Sequence, residues 1–243
     1  LQSYPTVRFQ SGRASLAVPH QQGFAVTLAS EAVLTSKKLI LAYGVSDILP
    51  ALPGVAERWG HSVLACPYCH GYEFSDRQLG VLYAGPMSIL HAILIADWGP
   101  MTLFLNGTAM PEPAIVADLK NRGISIEPTP VLSLAGAGKE LETVLLADGR
   151  SIPLSALYIA PPSKMNSTIG EQLGCASEDG RYGPVIRTDD AQMTSVAGVY
   201  AAGDIARANN ALKAAADGAA AGIATHAAMV FGSTQVIAKN ARR

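Results

Sequence analysis

The stretch between Leu79 and Ala160 sets what this chain can fold into. Apolar runs at Leu79–Tyr83, Met101–Leu105, Ile124–Pro128 and Ala156–Ala160 are separated by helical patterns over residues 89–98 and 113–122. Short runs that are apolar on both faces have the pattern of buried parallel strands. Ile115 and Leu119, at i and i+4, give the second helix one apolar face. The order β-α-β-α-β predicts a parallel sheet covered by helices, an α/β fold. Thr143–Leu146 followed by Asp148-Gly149-Arg150 predicts a hairpin arm and its turn.

The flanks carry weaker patterns. Val7-Arg8-Phe9 predicts a strand, and Phe24–Leu28 alternates as a half-buried strand does. The apolar run over residues 39–42 leads into Tyr43-Gly44, a buried strand ending in a tight turn. Residues 47–54 contain Pro50 and Pro53-Gly54, which predict extended backbone and a candidate domain crossover. Residues 163–185 are loop-rich. Gly198–Ala202 predicts a short strand that stops at Gly203-Asp204. An alanine-rich helix follows, over about residues 210–230, and its small side chains admit close approach of a neighbour.

The chain has 243 residues, 49% hydrophobic and 15% charged, enough to bury the core of one large domain or two modest ones. A net charge of −1 without a basic patch argues against a nucleic-acid partner. No apolar run of about 18 residues predicts a membrane span, and no signal-peptide pattern opens the chain. Three cysteines suit a reducing cytoplasm rather than a disulfide framework. The first residues, Leu1-Gln2-Ser3-Tyr4, read as mid-chain sequence, so a partial chain is expected.

The chemistry concentrates in Cys66-Pro67-Tyr68-Cys69-His70-Gly71-Tyr72-Glu73. Two cysteines at this spacing either ligate a metal or cycle between dithiol and disulfide. A structural zinc needs four ligands, so it would have to recruit Cys175 and a histidine. Redox use has the stronger rationale, because one thiol of such a pair is often acidified and attacks disulfides as thiolate. His70 can carry a proton near neutral pH. Cys175 reads as a small buried hydrophobe.

Residues 49–54, the Cys66–Gly71 segment, the βαβ pattern from Leu79 and Gly198-Val199-Tyr200-Ala201-Ala202-Gly203-Asp204 occur here in an order and spacing that resembles thioredoxin reductases, within the pyridine nucleotide-disulfide oxidoreductases. The resemblance implies two Rossmann-like three-layer domains, one inserted into a split flavin domain. It divides the chain into 1–54 (incomplete flavin part), 55–164 (inserted nicotinamide-type domain with the cysteine pair) and 165–243 (flavin-domain return). It implies FAD held at Gly44, Gly203, Asp204, Asn210 and Ala211, with Asp204 on the ribityl chain. It implies that Cys69 faces the flavin, that Cys66 exchanges with a thiol or disulfide substrate, and that His70 carries the proton. NADPH and a homodimer come with the same resemblance.

The chain departs from that pattern in four ways. No G-x-G-x-x-G fingerprint stands before Cys66. The second fingerprint reads Tyr83-Ala84-Gly85-Pro86-Met87-Ser88 and keeps only Gly85. Leu103-Phe104-Leu105-Asn106-Gly107 lacks an arginine for a 2′-phosphate. His70 stands where aspartate is usual. The Cys-His-Gly-Tyr-Glu form is also similar to gliotoxin-type dithiol oxidases, which close a disulfide at the expense of oxygen without NADPH. Three readings therefore stand: a reductase, an oxygen-using dithiol oxidase, and a flavin-free fragment that only binds a partner.

Overall fold

A computed structural model describes residues 4–207 and 210–232. In chain order the elements are β1 (Ala14–His20), β2 (Gly23–Leu28), β3 (Val33–Ser36), β4 (Leu39–Leu41), β5 (Val45–Asp47), α1 (Val55–Arg58), β6 (Val63–Leu64) and α2 (Pro67–His70). Next come β7 (Leu79–Leu82), α3 (Met87–Ile95), β8 (Met101–Phe104), α4 (Pro113–Asn121), β9 (Ser125–Glu127), β10 (Val131–Ala135), β11 (Thr143–Leu146), β12 (Ser151–Pro153) and β13 (Ala156–Tyr158). The described residues then give β14 (Ser163–Met165), α5 (Ile169–Gln172), β15 (Ser177–Asp179), β16 (Pro184–Ile186), β17 (Val199–Ala201) and α6 (Ala211–Phe231). Two compact units result: Asp47–Pro162, and Leu1–Ser46 together with Ser163–Arg243.

The unit Asp47–Pro162 is built on a five-stranded sheet in the order β6-β13-β7-β8-β9, with every pairing parallel. Side chains alternate across it as the two-residue strand period demands. Leu64, Val81, Leu103 and Tyr158 pack with Ala92, Ile95 and Leu119 of α3 and α4. Val63, Leu82, Phe104 and Leu157 pack the other way, against Val131, Leu134, Val144 and Leu146 of the antiparallel sheet β10-β11-β12. One face is thus covered by helices and the other by a meander. Gly80 is glycine because a Cβ there would lie 2.8 Å from the Phe104 ring and 2.9 Å from Leu154.

Two polar clasps hold the meander side. The buried guanidinium of Arg58 donates to the carbonyls of Gly54, Gly136 and Glu140 at 3.2, 2.8 and 3.0 Å. Arg150, in the turn after β11, donates to both carboxylate oxygens of Glu127 at the end of β9, at 2.8 and 3.0 Å.

In the other unit, β1, β2 and β3 form an antiparallel sheet. Phe24 and Leu28 are buried and Val26 partly so, as the alternation required. β17 pairs parallel with β4. Leu41, Val199 and Ala201 pack with Ile169, Ile186 and Ile205. α6 lies on β17 through Ala221, beside Tyr200 and Ala202.

One expected strand is absent. Val7-Arg8-Phe9 is not a strand, and the first strand starts only at Ala14. Val7 and Phe9 stand 39% and 67% exposed, so no buried face holds that segment in a ladder. Among the described residues no helix is long and apolar enough to cross a membrane.

The Arg150 guanidinium, hydrogen-bonded to Glu127, is the main cause holding the Glu127 carboxyl down at about 2. A carboxyl depressed in the folded state contributes stability above its unfolded value of about 4.3, and that contribution fades as pH falls toward about 2. Glu127→Gln is expected to cost about 1–3 kcal/mol at pH 7, because it leaves a charged partner half satisfied. Calorimetric Tm values of the two proteins should converge as pH falls through that window; a gap independent of pH would contradict the assignment.

Candidate active site

Cys66 is extended (φ −116°, ψ 114°), and Pro67 opens α2 at the first helical position with its ring buried. Proline suits that position because its φ is preset and the N–H it lacks would have no helical partner. α2 is a single turn. The Cys69 amide donates to the Cys66 carbonyl at 3.3 Å, and the Gly71 amide to the Pro67 carbonyl at 2.6 Å. This turn brings the Cys69 thiol over Cys66, with the two Sγ atoms 2.7 Å apart. A disulfide spans about 2.05 Å, so small side-chain rotations suffice to close one.

The turn rests on an indole. A Cβ on Gly71 would lie 2.7 Å from Trp98 Cε2 and 2.7 Å from the Pro67 carbonyl oxygen. The Tyr68 ring meets Trp98 edge-on, with centroids 6.0 Å apart. Tyr68 and Tyr72 are 77% and 87% exposed, two open aromatic faces on the cysteine segment.

The pair is electrostatically unequal. The hydrogen bond to Cys66 pushes the Cys69 thiol up to about 11, with burial and the nearby charges of Cys66 and Glu73 adding to it. Cys69 therefore holds the proton although it is the more exposed sulfur. The His70 ring Nδ1 stands 3.6 Å from Glu73 Oε1, both side chains about half exposed. Tyr158, fully buried at the end of β13, donates its hydroxyl to the His70 carbonyl at 3.4 Å. Burial first, then the Glu73 and Cys66 charges, push that phenol up to about 12.

A second set of predicted residues gathers in the other unit. β4 and β17 run parallel, and just beyond their C-terminal ends stand the left-handed glycines Gly44 (φ 67°) and Gly203 (φ 75°). Ligands of parallel α/β sheets bind at such strand ends. A Cβ at either glycine would meet only Asn166 Nδ2 at 3.7 Å or Ala214 Cβ at 3.6 Å, so both leave room. Asp204 is half-buried in the single turn that follows. Asn210 caps α6, its Oδ1 accepting from the Lys213 amide at 3.0 Å, and Ala211 is the first helical residue. An acceptor carboxylate beside unobstructed backbone fits the polyhydroxyl chain of a flavin. Cys66, Cys69 and His70 thus gather in one unit; Gly44, Gly203, Asp204, Asn210 and Ala211 gather in the other.

The turn after β7 is built differently. Where a dinucleotide turn offers free amides to a pyrophosphate, the Ala84 amide here donates to Ser88 Oγ at 2.9 Å, and Ser88 is buried. The Ser88 and Ile89 amides donate to the Gly85 and Pro86 carbonyls. Pro86 has no amide hydrogen to offer. After β8, Asn106 Oδ1 accepts from the Val131 amide at 2.8 Å. Part of the usual cradle is thus spent or missing, while the Gly85 and Met87 amides keep no internal partner. Among the described residues, no three His, Cys, Asp or Glu side chains gather as a metal site requires. Cys175 belongs to the Gly44 unit, its Sγ 3.5 Å from Thr194 Oγ1.

The profile of the family described as pyridine nucleotide-disulphide oxidoreductase matches residues 2–222. The chain belongs to that family. The thioredoxin reductase tcpT of Claviceps purpurea (strain 20.1) is 30% identical over 211 residues, covering 83% of this chain and 65% of that protein. The thioredoxin reductase sirT of Leptosphaeria maculans is 30% identical over 220 residues with the same coverage. The chain thus spans 65% of the length of these curated relatives, slightly under two thirds. An oxidoreductase from Agrobacterium tumefaciens has a crystal structure that superposes with a TM-score of 0.89, at 40% identity, over 96% of this chain and 78% of that one. HlmI superposes with a TM-score of 0.86, at 31% identity, over 98% and 76%.

The sequence assigns no role to Tyr158, Trp98, Gly71 or Ser88, whose contacts only the fold brings out. Tyr158 carried a signal: it is the one polar side chain in the run Ala156-Leu157-Tyr158-Ile159-Ala160, and a buried tyrosine needs a partner for its hydroxyl.

Two outcomes follow from this geometry. Iodoacetamide at pH 7–8 should label Cys66 before Cys69, because thiolate reacts and Cys69 keeps its proton; peptide mapping that finds Cys69 labelled first would contradict it. Gly71→Ala should lower stability by about 1–3 kcal/mol through overpacking against Trp98 and Pro67, read as a lowered Tm together with an altered labelling order.

Proposed function

We propose that this chain carries out thiol–disulfide exchange as a flavin-dependent, thioredoxin reductase-like oxidoreductase, with Cys66 and Cys69 as its redox pair. The observation that carries the reading is the 2.7 Å approach of the two sulfurs on one helical turn. Cys66 is the exchanging sulfur. Its thiolate attacks a substrate disulfide, one S–S bond breaks as the mixed disulfide forms, and the released thiolate takes a proton. Cys69 then attacks the Cys66 sulfur, leaving the pair oxidised and the substrate as a dithiol. Two electrons pass from pair to substrate, and the reverse sequence oxidises a dithiol.

Cys69 must lose its proton at the second attack, and His70, next in sequence and 3.6 Å from Glu73, is the group that takes it. Gly44, Gly203 and Asp204, with Asn210 and Ala211 at the start of α6, would hold FAD. Residues 1–54 and 165–243 are then flavin-domain parts, and 55–164 is the inserted domain. When bound, the flavin supplies or removes the electron pair that returns the cysteines to their starting state. The substrate is a thiol or disulfide, and the assembly a homodimer in a reducing cytoplasm.

A specific observation favours a second reading, in which a dithiol is the donor and oxygen the final acceptor. The turn over residues 83–88 spends the Ala84 amide on Ser88 and the Ser88 amide on Gly85, Pro86 has no amide hydrogen, and Asn106 is spent on Val131. Neither arrangement welcomes a pyrophosphate or a 2′-phosphate.

The test uses the natural full-length protein, purified with its flavin and mixed anaerobically. The expected result for the reductase-like reading is that NADPH bleaches the flavin band within seconds. A band that a dithiol bleaches while NADPH at equal concentration leaves it oxidised would overturn it in favour of the oxygen-using oxidase. In the Cys69→Ser protein a dithiol should no longer reduce the flavin; unchanged reduction would remove the cysteine pair from the mechanism.

A further inference from the structure

We propose that Tyr158 is a positioning residue of the thiol pair, its buried hydroxyl holding the His70 carbonyl and with it the helical turn that carries Cys66 and Cys69. The inference rests on the proposed use of that pair as the redox centre.

The argument starts from what a single turn can do alone. Fixing the backbone of one turn costs more than its hydrogen bonds return, so an isolated turn does not persist in water. α2 has the Cys69 amide to Cys66 bond at 3.3 Å and the Gly71 amide to Pro67 bond at 2.6 Å, and only a single 3-10 turn over Tyr72–Phe74 continues it through Gly71. Its geometry is therefore imposed from outside.

Three supports are apolar: the buried Pro67 ring, the Gly71 backbone against Trp98, and the Tyr68 ring on the same indole. Apolar contacts fix distance but leave rotation about the contact free. The fourth support is directional. Tyr158 projects from β13, the strand that pairs with both β6 and β7. Its ring is buried among Val81, Ile95 and Leu103 and is 0% exposed. The hydroxyl reaches out of that core to the His70 carbonyl at 3.4 Å. That carbonyl belongs to the peptide unit joining His70 to Gly71, so the bond orients the backbone from which the imidazole projects.

The phenol is suited to the task because it stays neutral. Burial, with the Glu73 and Cys66 charges, pushes it up to about 12. It donates throughout the working pH range and does not compete with Cys69 for a proton. A carboxyl or imidazole at this position would titrate together with the pair.

The experiment compares natural full-length protein with Tyr158→Phe, which removes one oxygen and keeps the ring. Three quantities are read: the equilibrium constant of the pair against glutathione, turnover with a dithiol such as dithiothreitol, and Tm. The expected result is a shift of that equilibrium constant by roughly 3- to 10-fold, the scale of one lost hydrogen bond. Turnover should fall by about tenfold at unchanged KM, the signature of misplaced reacting groups rather than lost binding.

An equilibrium constant and turnover within about twofold of wild type would overturn the inference, since one hydrogen bond is worth more than that. Cys66→Ser and Cys69→Ser, assayed beside it, separate the two levels. If they keep turnover, the redox reading itself fails; if they are inactive while Tyr158→Phe is normal, only the role of Tyr158 fails. Should the Phe protein not fold, the wild-type Gly71 amide is followed by hydrogen exchange. Protection comparable to the β13 amides supports a pinned turn, and exchange at the rate of an open loop overturns it.

Discussion

The five-stranded parallel sheet must be covered on both faces, because its strands are apolar on both. That requirement orders the unit Asp47–Pro162. α3 and α4 cover one face and the β10-β11-β12 meander the other, and β13 lies between β6 and β7 with Leu157 sent one way and Tyr158 the other. The cysteine segment leaves β6 on the edge of this sheet, so its backbone starts from a fixed strand end. Everything that shapes the sulfurs afterwards, from Trp98 beyond α3 to Tyr158 on β13, is held by that same sheet. The core is therefore both the source of stability and the ruler against which the thiol distance is set.

How legible this was depended on the range of the interactions involved. Buried strands announce themselves locally, and Leu79–Leu82, Met101–Phe104 and Ala156–Tyr158 stand within the apolar runs that predicted them. The stop at Gly203-Asp204 was also local, since a glycine at φ 75° writes itself into the sequence. The Cys66–Cys69 spacing was legible for the same reason. Val7-Arg8-Phe9 misled because β-branched and aromatic residues satisfy a strand pattern even where no neighbour buries them. Gly71 stood in the cysteine segment with nothing in the sequence to say why it is glycine. Its cause is an indole at position 98, a contact that no short-range pattern encodes. Ser88 was equally silent: a serine near a helix start says nothing about whether its hydroxyl faces a ligand or an amide of its own turn.

The proton inventory of the pair deepens the same point. Exposure alone would name Cys69 as the reactive sulfur. Geometry reverses that, because a thiol 2.7 Å from a second sulfur donates to it and gives up its proton last. The asymmetry is useful for exchange chemistry. A pair in which both thiols ionised together would repel itself at the distance needed for closure. Holding one proton on Cys69 lets the sulfurs stay close in the reduced state, and the Glu73 charge reinforces that choice. The cost is that closure requires a base, the task proposed for His70.

The turn over residues 83–88 keeps the path of a dinucleotide turn while committing part of its hydrogen bonding to itself. β7, α3 and β8 retain the strand–helix–strand path of a dinucleotide unit, with Gly85 in a positive-φ conformation (145°). What has changed is where the hydrogen bonds go. A phosphate site works because amides at a helix start are left without internal partners. Here Ser88 turns back to satisfy Ala84, and Pro86 deletes a donor outright. The Gly85 and Met87 amides keep no internal partner, but a phosphate reaching for the Ala84 amide would have to break the Ser88 bond. Replacing Ser88 by alanine would free the Ala84 amide yet leave Pro86 without a donor, so recovering a phosphate cradle needs both positions to change together. The two changes act on different amides of one turn, so each alone frees or restores a single donor.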